Sequence, residues 1–111
     1  MAAYSELTLE QYSNFSTTIN VDDASGNPIN LYGYTVASQI RKSYYSTTAT
    51  NFTASVTGVA NGEITISMTA ANTANMTAGR ALFDVVITAP DSIKTRVVEG
   101  IIVILPGVTQ I

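Results

Sequence analysis

The stretch Asn61-Gly62-Glu63-Ile64-Thr65-Ile66-Ser67-Met68-Thr69 alternates apolar and polar side chains at every second position. Successive side chains of a strand point to opposite faces. Ile64, Ile66 and Met68 therefore share one face, and Glu63, Thr65, Ser67 and Thr69 the other. A helix would scatter the same residues around its circumference. Asn61-Gly62 in front is a tight-turn pair, which favours a type I′ hairpin. On the other side of that turn, Phe52, Ala54 and Val56 repeat the alternation and predict another strand.

The pattern spreads outward from this hairpin. Towards the N-terminus, Leu7 and Leu9 alternate with Glu6, Thr8 and Glu10. Phe15, Thr17, Ile19 and Val21 alternate with Ser16, Thr18 and Asn20. Asp22-Asp23-Ala24-Ser25-Gly26-Asn27-Pro28 is a dense turn signal, since Asp and Asn bond their own backbone and Gly accepts positive φ. A strand over Tyr34–Arg41 puts Tyr34, Val36, Ser38 and Ile40 on one face. Ser43–Asn51 is polar and reads as a loop. Towards the C-terminus, Thr69–Met76 breaks the alternation. Thr69 can N-cap one short helical turn over residues 70–76, and Gly79 ends it. Ala81, Phe83, Val85 and Ile87 form one face of a further strand. Ala89-Pro90-Asp91-Ser92 is a turn. The last strand runs over Thr95–Leu105 and is stopped by Pro106-Gly107.

About seven short strands separated by turn signals predict an all-β, antiparallel sandwich. A small barrel is the alternative. The 111 residues suffice for one domain, 1–111, whose end at 106–111 reads as flexible.

Composition narrows the chemistry. The chain has no Cys and no His, so disulfides, thiolate sites and the commonest general base are absent. Charged residues make up 12%, about half the usual share. In their place stand 16 Thr and 8 Asn, with abundant Ser. Neutral, β-branched polar residues suit pleated strands and also surfaces covered by neighbours. The net charge is −3, and only Arg41 and Lys42 are adjacent cations. Phosphate binding needs a basic patch, so no nucleic-acid partner is expected. The opening MAAYSELTLE has neither the basic nor the apolar segment of a secretory signal. The longest apolar run, Ile101–Leu105, is far short of the ~20 residues that span a bilayer, so no membrane partner is expected.

Catalytic and metal-binding readings are weak. Asp22–Asp23 is the adjacent acid pair, and its simplest role is turn formation. The order around Asp23 and Asn27 does not follow a calcium loop. Asn14, Asn51 and Asn75 begin N-x-[ST] triplets, which arise readily in a Thr-rich chain. Asp84 reads as an outward strand residue within reach of Arg41, Arg80 or Arg96. No catalytic residue, metal or cofactor is expected. The contact candidates are aromatic: Tyr32 flanks Gly33, and Tyr44 and Tyr45 open the polar loop, whereas Tyr34 suits the core.

Longer motifs recur in a fixed order. Asp23-x-x-Gly26-Asn27-Pro28-Ile29-Asn30-Leu31-x-Gly33-Tyr34-Thr35 leads into Gln39-Ile40-Arg41-Lys42-Ser43. Gly62-x-Ile64-Thr65-Ile66, Thr77-Ala78-Gly79-Arg80 and Phe83-Asp84-Val85-x-Ile87-Thr88 follow. The chain closes with Thr95-Arg96-Val97-Val98-Glu99-Gly100 and Pro106-Gly107-Val108-Thr109. Over Leu7–Thr109 this order resembles a family of short proteins encoded among the structural genes of tailed bacteriophages. It is also similar to the N-terminal attachment domain of phage upper-baseplate proteins. The resemblance implies an immunoglobulin-like sandwich present in many copies in the virion, and it brings no catalytic residues. The end, Pro106-Gly107-Val108-Thr109-Gln110, departs from the family's acidic and terminal basic residues.

The function expected is that of a non-enzymatic virion structural protein, an accessory component of the neck, tail or baseplate. Its expected partners are other virion structural proteins and copies of itself in a symmetric assembly. A capsid decoration protein is the alternative. A carbohydrate or host-surface binding module, using Tyr32, Tyr44 and Tyr45, is an alternative of another class.

Overall fold

Among the described residues, strands β1 (Ala3–Glu10), β2 (Phe15–Asn20), β3 (Thr35–Arg41), β4 (Thr50–Asn51), β5 (Thr53–Gly58) and β6 (Glu63–Met68) come first. One helical turn, α1 (Ala70–Thr73), precedes β7 (Gly79–Thr88) and β8 (Lys94–Leu105). The computed structural model describes residues 3–22, 25–42 and 49–108. The strands form two sheets, one in the order β1-β8-β7-β3-β4 and one in the order β2-β6-β5. With β2, β3, β5, β6, β7 and β8 taken in sequence, β2-β6-β5 facing β8-β7-β3 is the strand order of an immunoglobulin sandwich.

The core follows the alternation. Ala81, Phe83, Val85 and Ile87 of β7 are buried, as are Ile64, Ile66 and Met68 of β6 and Val98, Ile102 and Ile104 of β8. Burying each large aliphatic side chain contributes about 1.5–3 kcal/mol, so these two inner faces hold the sheets together. The rings of Phe15 and Phe52 meet with centroids 5.6 Å apart. Tyr34 is half-buried against the core, as expected. Ser38 also faces inward and is buried, and its hydroxyl donates to the Asp84 carbonyl at 2.6 Å. That bond removes the cost of an unpaired hydroxyl in the core.

Several expectations need correction. The sandwich is not wholly antiparallel: β1 runs parallel to β8, from Ala3 beside Val98 to Glu10 beside Leu105. The turn at Gln11–Asn14, with Tyr12 at φ 65°, carries the chain across to the other sheet, so β1 and β2 are not a hydrogen-bonded hairpin. Nor is Asn61-Gly62 a type I′ turn, which needs positive φ at both residues. Only Gly62 has it, at 64°. Gly58 pairs with Glu63 across a longer loop, and Asn61 N–H donates to the Gly58 carbonyl at 3.2 Å. A Cβ on Gly62 would collide with the Val21 carbonyl, so the position demands glycine twice over. Finally, the expected loop over Ser43–Asn51 ends in the short strand β4, paired with β3 through Gln39 and Ile40.

A helical turn forms where the sequence predicts one, over Ala70–Thr73 rather than the full 70–76. Thr69 caps α1, its side-chain oxygen accepting from Asn72 N–H at 3.4 Å. Thr73 is fully buried and its hydroxyl donates to the Ser13 carbonyl at 2.8 Å, fastening the turn to the start of β2. Gly79, expected to end the turn, instead opens β7.

Candidate functional site

Three loops converge at one end of the sandwich: β2–β3, β5–β6 and β7–β8. Backbone hydrogen bonds stitch the first to the second. Val21 N–H donates to the Gly62 carbonyl at 2.8 Å, and Leu31 N–H donates to the Val59 carbonyl at 2.9 Å. Leu31 is buried beneath as a plug. The β2–β3 loop meets the third loop at Gly33, where an added Cβ would stand 2.8 Å from the Pro90 ring. The β7–β8 loop is closed by its own bonds. Ala89 N–H donates to the Ile93 carbonyl at 2.9 Å, and Ile93 N–H donates to Asp91 Oδ1 at 3.2 Å.

Large apolar side chains stand out from this fixed frame. Tyr32 is 81% exposed, Ile93 62% and Val59 43%. Tyr32 is the centrepiece, because its neighbours Leu31 and Gly33 touch the other two loops. Its own N–H donates to Asn30 Oδ1 at 2.9 Å, so the backbone is held while the ring projects. A rigidly mounted aromatic loses little conformational freedom when it meets a partner. Loops carried on a stiff sandwich are where binding residues concentrate.

Of the tyrosines singled out from sequence, Tyr32 lies at this end. Tyr44 and Tyr45 lie outside the described residues. Lys42, just before them, follows the end of β3 opposite to Tyr32. Sequence reasoning overlooked Val59 and Ile93. The available signal was a large apolar residue inside a turn: Ile93 follows Pro90-Asp91-Ser92, and Val59 lies just beyond β5.

No protein-family model matches this chain, and no curated protein matches it significantly.

A second surface is the outer face of the five-stranded sheet. A depression of about 340 Å³ there is lined in part by Gln39, Arg41, Leu82, Asp84, Val86 and Arg96. Of the three cations offered to Asp84 by the sequence, Arg96 is the partner, with Nε 3.3 Å from Asp84 Oδ2. Its Nη1 also reaches Glu99 Oε2 at 3.1 Å. One guanidinium thus engages both carboxylates of the depression. Among the described residues, no group of three His, Cys, Asp or Glu could hold a metal ion. Every buried side-chain nitrogen or oxygen among them has a hydrogen-bond partner. No helix among them is long and apolar enough to cross a membrane.

Proposed function

We propose that this chain is a non-enzymatic structural protein of a tailed-bacteriophage particle, present in many copies as an accessory component of the neck, tail or baseplate. The observation that carries the contact role is the exposure of Tyr32, Val59 and Ile93 on three loops that meet at one end of the sandwich, the first two joined by backbone hydrogen bonds and the third packed through Pro90 against Gly33. The resemblance over Leu7–Thr109 supplies the virion setting. In this reading the loop end docks onto other virion proteins, and neighbouring copies share the load. Repetition suits such a domain, because many modest contacts add as avidity without any one being strong. Nucleic acid and membranes are not among its partners, in keeping with the net charge of −3.

A low-resolution map of purified particles, with this protein labelled, tests the proposal. Density at the neck, tail or baseplate is the expected outcome. Density on the head shell would favour the decoration role instead. Absence of the polypeptide from purified particles would overturn the virion reading and leave the sandwich intact.

A further inference from the structure

The sandwich has sheet edges at β1, β4, β2 and β5. An open edge offers unpaired N–H and C=O groups to any passing strand, and proteins usually guard it with charge, proline, a bulge or brevity. β1 carries Glu6 and Glu10, β4 has only two residues, and β5 has a register irregularity between Val56 and Gly58. β2 has none of these guards. Its six residues, Phe15-Ser16-Thr17-Thr18-Ile19-Asn20, include no charge and no proline, and they pair with β6 without a bulge.

The phase of its hydrogen bonds is fixed. Val21 N–H donates to the Gly62 carbonyl, and backbone groups alternate sides along an antiparallel strand. Thr17 and Ile19 therefore direct their backbone groups to β6. Ser16, Thr18 and Asn20 direct theirs outward, and their side chains also lie on the solvent face. The core-facing residues Phe15, Thr17 and Ile19 are only half-buried, whereas Ile64, Ile66 and Met68 beside them on β6 are buried. The inner face is thus left unfinished at this edge.

We propose that β2 pairs antiparallel with β2 of a second copy of this chain, about a two-fold axis through Thr18. A second copy fits because the edge is self-complementary. In this register Thr18 faces its own equivalent, Ser16 faces Asn20, and each pair exchanges both backbone bonds. Thr17 then faces Ile19, so half-buried inner residues meet half-buried inner residues and outer hydroxyls meet outer polar groups. A shift by one residue would set Phe15 against Asn20 and mix the two faces. The adjoining solvent face carries Thr53, Ser55, Thr57, Thr65 and Ser67, with Glu63 as its one charge, so two net-negative copies meet through neutral surface. The pairing joins two three-stranded sheets into one. It does not depend on the virion reading and is tested on the isolated protein.

The absence of native cysteine makes the test direct. Light scattering on the wild-type chain is expected to give the mass of a dimer. Thr18→Cys is expected to form a disulfide-linked dimer under mild oxidation, since Cα atoms of a hydrogen-bonded antiparallel pair lie about 5.5 Å apart, within disulfide reach. Ser55→Cys, on the same solvent face but on β5, serves as the control and remains monomeric on a denaturing gel. Thr18→Lys and Ser16→Lys place charge on the edge and are expected to weaken self-association about tenfold or more. A monomer at all concentrations overturns the proposal, as does equal crosslinking of the Thr18→Cys and Ser55→Cys proteins.

Discussion

Gly100 of β8 lies so close to Ser5 of β1 that a Cβ added to it would overlap the Ser5 carbonyl oxygen. The two residues are register partners in the parallel pairing. Gly100 also faces the interior, between buried Val98 and Ile102. The absence of a side chain therefore decides how tightly the first strand can close onto the last. Gly100→Ala is expected to push β1 away and destabilise the domain by about 1–3 kcal/mol, the usual cost of overpacking. Urea unfolding would measure the loss, and amide exchange should quicken in β1 first. An unchanged unfolding midpoint would contradict the contact.

Gln11 joins three parts of the chain. Its Nε2 donates to the Met76 carbonyl at 2.6 Å, and its Oε1 accepts from Gly107 N–H at 3.0 Å. The end of the chain is thereby held as far as Gly107, while residues 109–111 lie outside the described residues. Gln11→Ala should cost about 1–3 kcal/mol, because both partners are left unsatisfied in a partly buried site. Gln11→Glu should also destabilise, since a carboxylate cannot donate to the Met76 carbonyl. Thermal unfolding of both variants checks this, and wild-type stability in Gln11→Ala would refute it.

The Asp84–Arg96–Glu99 cluster should matter little to folding. The side chains of the Arg96–Asp84 pair are 50% and 36% exposed, and exposed ion pairs contribute about 0–1 kcal/mol. A double-mutant cycle on Arg96→Ala and Asp84→Ala should return a coupling energy in that range, shrinking as salt is added. Coupling of several kcal/mol would mean that the cluster is structural.

The loop end should behave in the opposite way. Tyr32→Ser combined with Ile93→Ser removes exposed side chains and should leave stability within about 0.5 kcal/mol for each. Under the proposed virion role, the same change should sharply reduce recovery of the protein in purified particles. Full incorporation of the double variant would show that Tyr32 and Ile93 are not contact residues. Glycan-array binding that is lost in Tyr32→Ala would instead support the carbohydrate role.

Much of the fold was legible because alternation reports burial directly. Ile64, Ile66 and Met68, or Phe83, Val85 and Ile87, can be hidden together only on the inner face of a strand. The Thr69 cap was legible for a similarly local reason, since its acceptor reaches a donor within one turn. Asp84 was read correctly as outward, but three arginines were equally plausible partners, and only the β7–β8 register selects Arg96. Tyr32 was singled out by its aromatic chemistry, and the structure shows it exposed. Val59 and Ile93 were not, because exposure at a loop tip depends on which loops meet.

Residue order alone therefore settled the all-β class, the strand faces and the position of the helical turn, each being a property of near neighbours. Tertiary structure decided that β1 lies parallel to β8, that the loop after β5 is longer than a two-residue turn, and that three distant loops share one end. The same period-two pattern fits a hairpin or a crossing between sheets. The choice turns on contacts such as Gly100 with Ser5 and Gly62 with Val21, which link residues far apart in the chain.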